Sequence, residues 1–250
     1  MRRSNAPIGF TREGHLAELV LDLRATRGRF TAEAAVDFSA ACASCDDDEV
    51  WVVLLRSIGA DFCLGVDGRF AEWPSLSGLD FVAALAAIRQ PVVAALGGRV
   101  EAEGFELALA ADLRVVAPAV RLLLPQVANG EVPKFGATQR LPRMIGTERA
   151  LRSLLLAEPI SAKRALEWGL ATSLQRDPVR GARRLAAELL ERGPIALRYA
   201  KEAVRRALDF TLDDGAHFEH DLYVLLETTR DRAAGVRAFL AKQKPKFRGC

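Results

Sequence analysis

The alternation of apolar and polar residues divides the chain into strand-like and helix-like parts. Residues 8–11 and the alternating run at 15–23 predict a β-hairpin. The uninterrupted apolar run at 50–55 predicts a strand that is buried on both faces. Strand-like runs recur at 91–96 and 113–117, and helix signals separate them. This succession predicts an α/β fold built as a ββα spiral.

Helix start and stop signals mark the other elements. Thr31 and Glu33 open a helix that reaches about Ser44, and Ser161 caps a helix that ends at Gly169. Beyond Pro178 the composition is helical, with four predicted helices at 180–192, 195–208, 212–229 and 231–243. Because Gly193-Pro194 interrupts this part, we predict a spiral core at 1–192 and a C-terminal helical region at 193–250.

The composition excludes several classes of protein. Of 250 residues, 50% are hydrophobic and 27% are charged, which is ordinary for a soluble globular protein. The formal charge of +3 gives no argument for nucleic-acid binding, although clustered basic residues would suit an anionic small ligand. The first seven residues do not resemble a signal peptide, and no apolar run approaches the length of a membrane span. We therefore expect a cytoplasmic protein without a membrane partner.

No metal site is expected. Cys42 and Cys45 form a C-x-x-C pattern, but no second pair of ligands occurs at a suitable spacing. On a helix, these two side chains are expected to be small packing residues. His217 and His220 have no third ligand nearby and are expected at an interface or on the surface.

The stretch at 91–111 carries the strongest chemical signal. A strand-like run leads through a glycine pair into an acidic turn at 101–106, and an apolar run at 107–111 follows. The first N–H groups of a helix have no partner within the helix, so such a turn can stabilise a developing oxyanion. Glu106 is expected in the first turn or so of this helix, within reach for proton transfer.

Four segments resemble the enoyl-CoA hydratase/isomerase (crotonase) family. Residues 91–112 resemble the family pattern K-P-V-I-A-A-V-N-G-x-x-x-G-G-G-x-E-L-A-L-A-C-D, and 125–143 resemble P-E-x-x-L-G-x-x-P-G-x-G-G-T-Q-R-L-P-R. Residues 56–67 and 235–249 resemble two further family segments, in the same order. The resemblance implies a crotonase-like ββα spiral core with a C-terminal helical region used for oligomerisation.

The resemblance also implies a ligand and an assembly. The substrate would be an acyl-CoA or a carrier-protein thioester, with coenzyme A as part of the substrate and no additional cofactor. Family members form trimers that commonly pair into hexamers, and an apolar stripe in the C-terminal helices agrees with this. Its members are Phe218, Leu222, Leu225 and Leu226.

Matching the family pattern residue by residue gives the catalytic candidates. Glu106 corresponds to one of the two glutamates that hold water in the hydratases, and Gln126 occupies the place of the other. Glutamine can orient a water molecule but cannot relay protons at neutral pH. The backbone N–H groups of Val66 and Glu103 correspond to the oxyanion hole. If the position of Glu103 required a positive φ, a glutamate there would be strained.

Further candidates follow from their positions in the matched segments. The acyl pocket is expected to include Leu64, Asp67, Phe70, Trp73, Glu131 and Lys134. Lys134 would contact a negative group of the substrate or point to solvent, with a slight preference for solvent. The phosphates of CoA are expected to bind the basic residues Arg24, Arg27, Arg29, Lys242, Lys244 and Lys246.

Two functions therefore remain open from the sequence. The first is a hydratase, dehydratase or isomerase of acyl thioesters that uses Glu106 as its single acid/base. The second is a catalytically degenerate relative that binds acyl-CoA or serves as a scaffold subunit. The retained Glu106 favours the enzyme, and the replacement of the second glutamate by Gln126 favours the degenerate relative.

Overall fold

Two β-sheets organise the protein, whose computed structural model describes residues 6–68 and 80–250. The strands are β1 (Ile8–Glu13), β2 (Leu16–Leu21), β3 (Val52–Ser57), β4 (Val92–Leu96), β5 (Arg99–Glu101), β6 (Leu113–Val116), β7 (Arg121–Leu123), β8 (Ile160–Ser161) and β9 (Ser173–Leu174). The larger sheet has the order β1-β2-β3-β4-β6-β9. Among the described strands of this sheet, β1 and β2 alone pair antiparallel, so the predicted hairpin is confirmed.

The helices cover both faces of the larger sheet. They are α1 (Ala32–Ala43), α2 (Phe81–Ala87), α3 (Glu103–Ala110), α4 (Ala137–Ile145), α5 (Thr147–Leu155), α6 (Ala162–Glu167), α7 (Pro178–Leu190), α8 (Pro194–Arg206), α9 (Leu212–Glu227) and α10 (Arg230–Leu240). The alternation of strand pairs and helices forms the predicted ββα spiral.

Alternate side chains of β3 enter two different hydrophobic cores. Val53 and Leu55 belong to the main core, which the first helices cover. Val52 and Leu54 belong to a smaller core that lies under α7. Burial on both faces explains the uninterrupted apolar run of this strand.

The smaller sheet was not predicted from the sequence. It has the order β5-β7-β8, and its strands are two or three residues long. Such short strands show no measurable alternation, so periodicity gives no signal for them. The boundaries of the predicted elements also differ by a few residues, as at 50–55, where the strand is Val52–Ser57.

A partly buried ion-pair cluster connects α8 to the core. The Nζ atom of Lys201 lies 2.7 Å from a carboxylate oxygen of Asp112, and an Nη atom of Arg205 lies 2.8 Å from the other. Burial lowers the pKa of Lys201 to about 8. Because both cations also donate hydrogen bonds to core carbonyl groups, α8 is firmly attached to the part of the chain before it.

The last two helices expose much apolar surface. Leu222 of the predicted stripe is buried, whereas Leu225 is exposed and Phe218 is half-buried. Other exposed apolar side chains of this region are Leu208, Leu212, Tyr223, Val224, Phe239 and Leu240. Within the described residues, no helix combines the length and the hydropathy needed to cross a bilayer.

The two cysteines of the C-x-x-C pattern are packing residues at the end of α1, with Cys42 in its last turn and Cys45 just after it. Cys42 and Cys45 are both buried, and Cys45 belongs to the main core together with Cys42. Burial raises the pKa of Cys45 to about 12 and that of Cys42 further, so both are thiols at neutral pH. The prediction of a structural role is confirmed.

Candidate active site

Three loops meet beyond the carboxyl ends of β2, β3 and β4. The backbone N–H of Phe30 donates to the Gly65 carbonyl, and the N–H of Asp67 donates to the Phe30 carbonyl. On the other side, the Glu101 N–H donates to the Cys63 carbonyl. These hydrogen bonds hold the 62–67 loop, and Val66 within it, between the segment after β2 and strand β5.

A close backbone approach brings α3 against this loop. A Cβ atom on Gly104 would lie 2.3 Å from the Cys63 carbonyl oxygen, so only glycine fits at this position. The residue that precedes α3 is Ala102, with φ 49° and ψ −127°. The strain considered for Glu103 therefore falls on Ala102, and Glu103 begins the helix in an ordinary conformation.

Glu106 lies one turn into α3 and is completely buried. Its Oε1 atom accepts hydrogen bonds from the backbone N–H of Phe135 at 2.8 Å and of Ala137 at 3.0 Å. Its Oε2 atom has no hydrogen-bond partner within residues 6–68 and 80–250. Burial raises the pKa of Glu106 to about 7, although the two backbone N–H groups act in the opposite direction. At neutral pH this carboxyl group can therefore both accept and release a proton.

Gln126 is buried with its amide group unpaired. The residue is 4% exposed, and neither Oε1 nor Nε2 has a partner among the described residues. Its backbone carbonyl accepts from the N–H groups of Asn129 and Glu131, which fixes the turn after β7. A buried amide without partners is costly, so this group is available to a water molecule or a ligand.

A cavity of about 270 Å³ collects most of the predicted pocket residues. It is lined by Arg29, Leu64, Val66, Asp67, Gly68, Glu101, Ala102, Glu103, Pro125, Gln126, Asn129, Glu131 and Lys134. Among the described residues, Glu106 does not line this cavity, but it lies close enough to Glu103 for the two carboxylates to interact electrostatically. Phe70 and Trp73 lie outside the described residues, as do the first five residues of the chain.

The Glu103 carboxylate binds one of the two backbone N–H groups that the sequence predicts for an oxyanion hole. Its Oε2 atom accepts a hydrogen bond from the Val66 N–H at 3.1 Å, and its Oε1 atom lies 3.5 Å from Lys134 Nζ. The preference for a solvent-facing Lys134 was wrong, because this side chain is 25% exposed and forms an ion pair inside the cavity. The other donor, the Glu103 N–H, has no acceptor within its helix.

The predicted phosphate-binding residues separate into two groups. Arg24 forms an ion pair with Asp22, and Arg24 and Arg27 line a second cavity of about 280 Å³ at the carboxyl ends of β2 and β3. Arg29 instead donates to the backbone carbonyls of Leu64 at 2.9 Å and Val66 at 3.2 Å. Arg29 therefore holds the loop that carries the Val66 N–H.

The C-terminal lysines lie at the opposite edge of the sheet. Lys244 lies 3.7 Å from Glu191, which follows α7, and Gly249 packs against Trp51, which precedes β3. Lys242 and Lys246 belong to the same segment, and both are exposed. The structure does not bring these lysines together with the arginines of the same chain.

Sequence reasoning missed Arg140. Its Nη1 atom donates to the Phe135 carbonyl at 2.6 Å, and burial lowers its pKa. Gly136, with φ 97°, leaves room for this guanidinium, since a Cβ atom there would lie 2.5 Å from Nη1. Arg140 thereby supports the turn whose N–H groups bind Glu106. It lies within the matched segment at 125–143, but no local pattern distinguishes it from the other arginines there.

Comparison with known proteins identifies the family of this chain. The sequence model of the enoyl-CoA hydratase/isomerase family matches residues 11–250. The 2,3-dehydroadipyl-CoA hydratase of Escherichia coli K12 is 36% identical over 169 residues, which cover 67% of this chain and 66% of that protein.

Solved structures agree over almost the entire chain. Enoyl-CoA hydratase subunit I of Geobacillus kaustophilus HTA426 is 33% identical, with a TM-score of 0.90 and 98% of each chain covered. An enoyl-CoA hydratase of Mycobacterium tuberculosis H37Rv is 26% identical, with a TM-score of 0.92, covering 98% of this chain and 100% of that one. The chain therefore belongs to the enoyl-CoA hydratase/isomerase family of enzymes and has the crotonase fold.

Proposed function

We propose that this protein converts an acyl-CoA, or another acyl thioester, through an enolate held by the backbone N–H groups of Val66 and Glu103. Glu106 is the single acid/base of the reaction, which is a hydration, a dehydration or a double-bond isomerisation. The observation that carries this proposal is the buried Glu106 carboxyl group, whose pKa is raised to about 7 at the start of α3. Such a group is poised for proton transfer at neutral pH.

Isomerisation needs only one proton carrier. The Glu106 carboxylate would remove a proton from C2 of a 3-enoyl thioester, and the electron pair would move onto the thioester oxygen. The protonated Glu106 would then return this proton to C4 as the new double bond forms between C2 and C3. The reaction is balanced without a second acid or base, so the replacement of the second glutamate by Gln126 does not interrupt it.

Hydration makes a larger demand on the same residue. Glu106 would accept a proton from the water that attacks C3 and deliver a proton to C2 of the enolate. Gln126 would orient this water through its unpaired amide group. Both routes use Glu106 and the two backbone N–H groups, and hydration uses Gln126 in addition.

A catalytically degenerate relative is the second candidate. It is favoured by the hydrogen bond between the Glu103 carboxylate and the Val66 N–H, which occupies one of the two enolate donors. In that case the protein would bind acyl-CoA without turnover or serve as a scaffold subunit.

Assembly into a trimer or hexamer would complete the ligand site. The exposed apolar residues of α9 and α10 support such an assembly. In it, the lysines at 242, 244 and 246 would serve a neighbouring protomer, since they lie far from the arginines of their own chain. Sedimentation across micromolar concentrations would reveal a trimer or hexamer, and a persistent monomer would contradict the assembly.

The proposed function is tested with a panel of 2-enoyl, 3-hydroxyacyl and 3-enoyl thioesters, presented on CoA and on a carrier protein. Turnover and binding are measured in parallel on the same protein preparation. Turnover of any of them supports the enzyme. Tight binding without turnover would support the degenerate relative, and absence of binding would contradict both.

A further inference from the structure

The Glu103 carboxylate is held inside the cavity by groups on two sides. Its Oε2 atom accepts from the Val66 N–H at 3.1 Å, and its Oε1 atom lies 3.5 Å from Lys134 Nζ. The side chain of Glu103 is nearly buried, at 7% exposed. A hydrogen bond to a charged group is roughly twice as strong as one between neutral groups, so this contact is a substantial one.

The 62–67 loop is shaped to admit this carboxylate. Gly65 has φ 102°, a conformation that favours glycine. A Cβ atom at this position would lie 2.5 Å from Glu103 Oε2 and 3.0 Å from the Cβ atom of Ala102. Any larger residue would displace the carboxylate from the Val66 N–H.

The same N–H cannot serve two acceptors at full strength. A thioester oxygen that enters the site needs the Val66 N–H, which the carboxylate already occupies. The oxygen and the carboxylate are both anionic or become so during the reaction, and their close approach is repulsive. Occupation by one therefore excludes the other.

We propose that Glu103 is a specificity-determining gate, whose carboxylate fills the oxyanion site of the free protein and must leave before a thioester carbonyl can bind there. This inference rests on the proposed function. Lys134 is the cation that keeps the displaced carboxylate in the cavity, because it contacts the oxygen that does not bind Val66.

The gate distinguishes ligands by their carbonyl group. A CoA thioester must displace Glu103, so the remainder of its acyl group has to supply enough binding energy for the exchange. A CoA thioether of the same length has no carbonyl oxygen, and it can bind while Glu103 stays in place. The two ligands therefore respond differently when the carboxylate is removed.

The test measures the binding of butyryl-CoA and of S-butyl-CoA, its thioether analogue, by calorimetry. The affinity for each ligand is measured with the wild type, with Glu103→Ala and with Glu103→Gly. Thermal melts establish that each variant is folded. The matched control is Glu101→Gln, which removes one negative charge from the same cavity without changing the group at the Val66 N–H.

Removal of the Glu103 carboxylate should increase the affinity for butyryl-CoA by at least about tenfold, as expected for the loss of one competing charge-assisted hydrogen bond. The affinity for S-butyl-CoA should increase no more in the Glu103 variants than in Glu101→Gln, since each of these variants removes one negative charge from the cavity. An equal increase in affinity for both ligands, or weaker butyryl-CoA binding in the Glu103 variants, would overturn the proposal. If no variant bound either ligand, the proposed function would fail and the gate with it.

Discussion

The Glu106 carboxylate accepts a hydrogen bond from the backbone N–H of Phe135 across 2.8 Å, and the adjacent turn provides a second donor at Ala137. Both bonds reach the same oxygen, Oε1, so the second oxygen has no partner among the described residues. The carboxyl group is thereby fixed in orientation while one oxygen stays available for proton transfer.

Activity should depend on the protonation of Glu106. Burial raises the pKa of this group to about 7, so the carboxylate form decreases as pH falls below that value. We predict that kcat/KM for isomerisation of a 3-enoyl thioester rises with pH and reaches a plateau above about 7, because the first step needs the carboxylate. A profile that stays flat between pH 5 and 9 would contradict this role. Inactivation of the enzyme by pH is excluded by incubating it at each pH and then assaying it at one common pH.

A second carboxylate should restore standard hydration. We predict that Gln126→Glu raises hydration of a 2-enoyl thioester by at least about tenfold, because a general base then faces the water that Gln126 can only orient. The matched control is Asn129→Asp, which adds the same charge to the same cavity. If both variants gained equally, added charge rather than the position of the base would explain the gain.

Ala102 carries strain that glycine would remove. Its φ of 49° and ψ of −127° lie in a region that residues with a side chain rarely adopt. We predict that Ala102→Gly raises the free energy of unfolding by about 1 kcal/mol, after the greater entropy of glycine in the unfolded chain is included. Chemical denaturation measures the change. Ala108→Gly, in the interior of α3, should instead lower stability by about 1 kcal/mol or more, and loss of stability in both variants would contradict the strain.

Asp112 should be essential for the attachment of α8. Asp112→Asn leaves Lys201 buried without its counter-charge, and we predict a loss of about 2 kcal/mol in the free energy of unfolding. Glu167→Gln breaks the exposed pair with Lys163 and should change stability little. Similar losses of stability in the two variants would show that the ion pairs of Asp112 do not hold α8 in place.

The site was predictable where a family pattern fixes a residue on one element. Glu106 at the start of its helix, and the position of Gln126 in the same cavity as the loop that carries Val66, followed from the matched segments. Strand β3 was predictable because its burial on both faces leaves a continuous apolar run.

Contacts that depend on three-dimensional placement were not predictable. The hydrogen bond from the Val66 N–H to the Glu103 carboxylate joins residues 37 positions apart, and no residue pattern predicts it. The strain on Ala102 became evident only from backbone angles. The distance of the C-terminal lysines from the arginines depends on where α7 and the tail run across the sheet, which local sequence does not encode.

The most direct test of the account is the turnover of Glu106→Gln on the best thioester. Glutamine keeps the shape of the side chain and can still accept from the Phe135 N–H, but it cannot carry a proton. We predict a loss of turnover of roughly 10²–10⁴-fold with little change in substrate binding. Unaltered turnover in a folded Glu106→Gln protein would contradict the account and leave Glu106 a structural role.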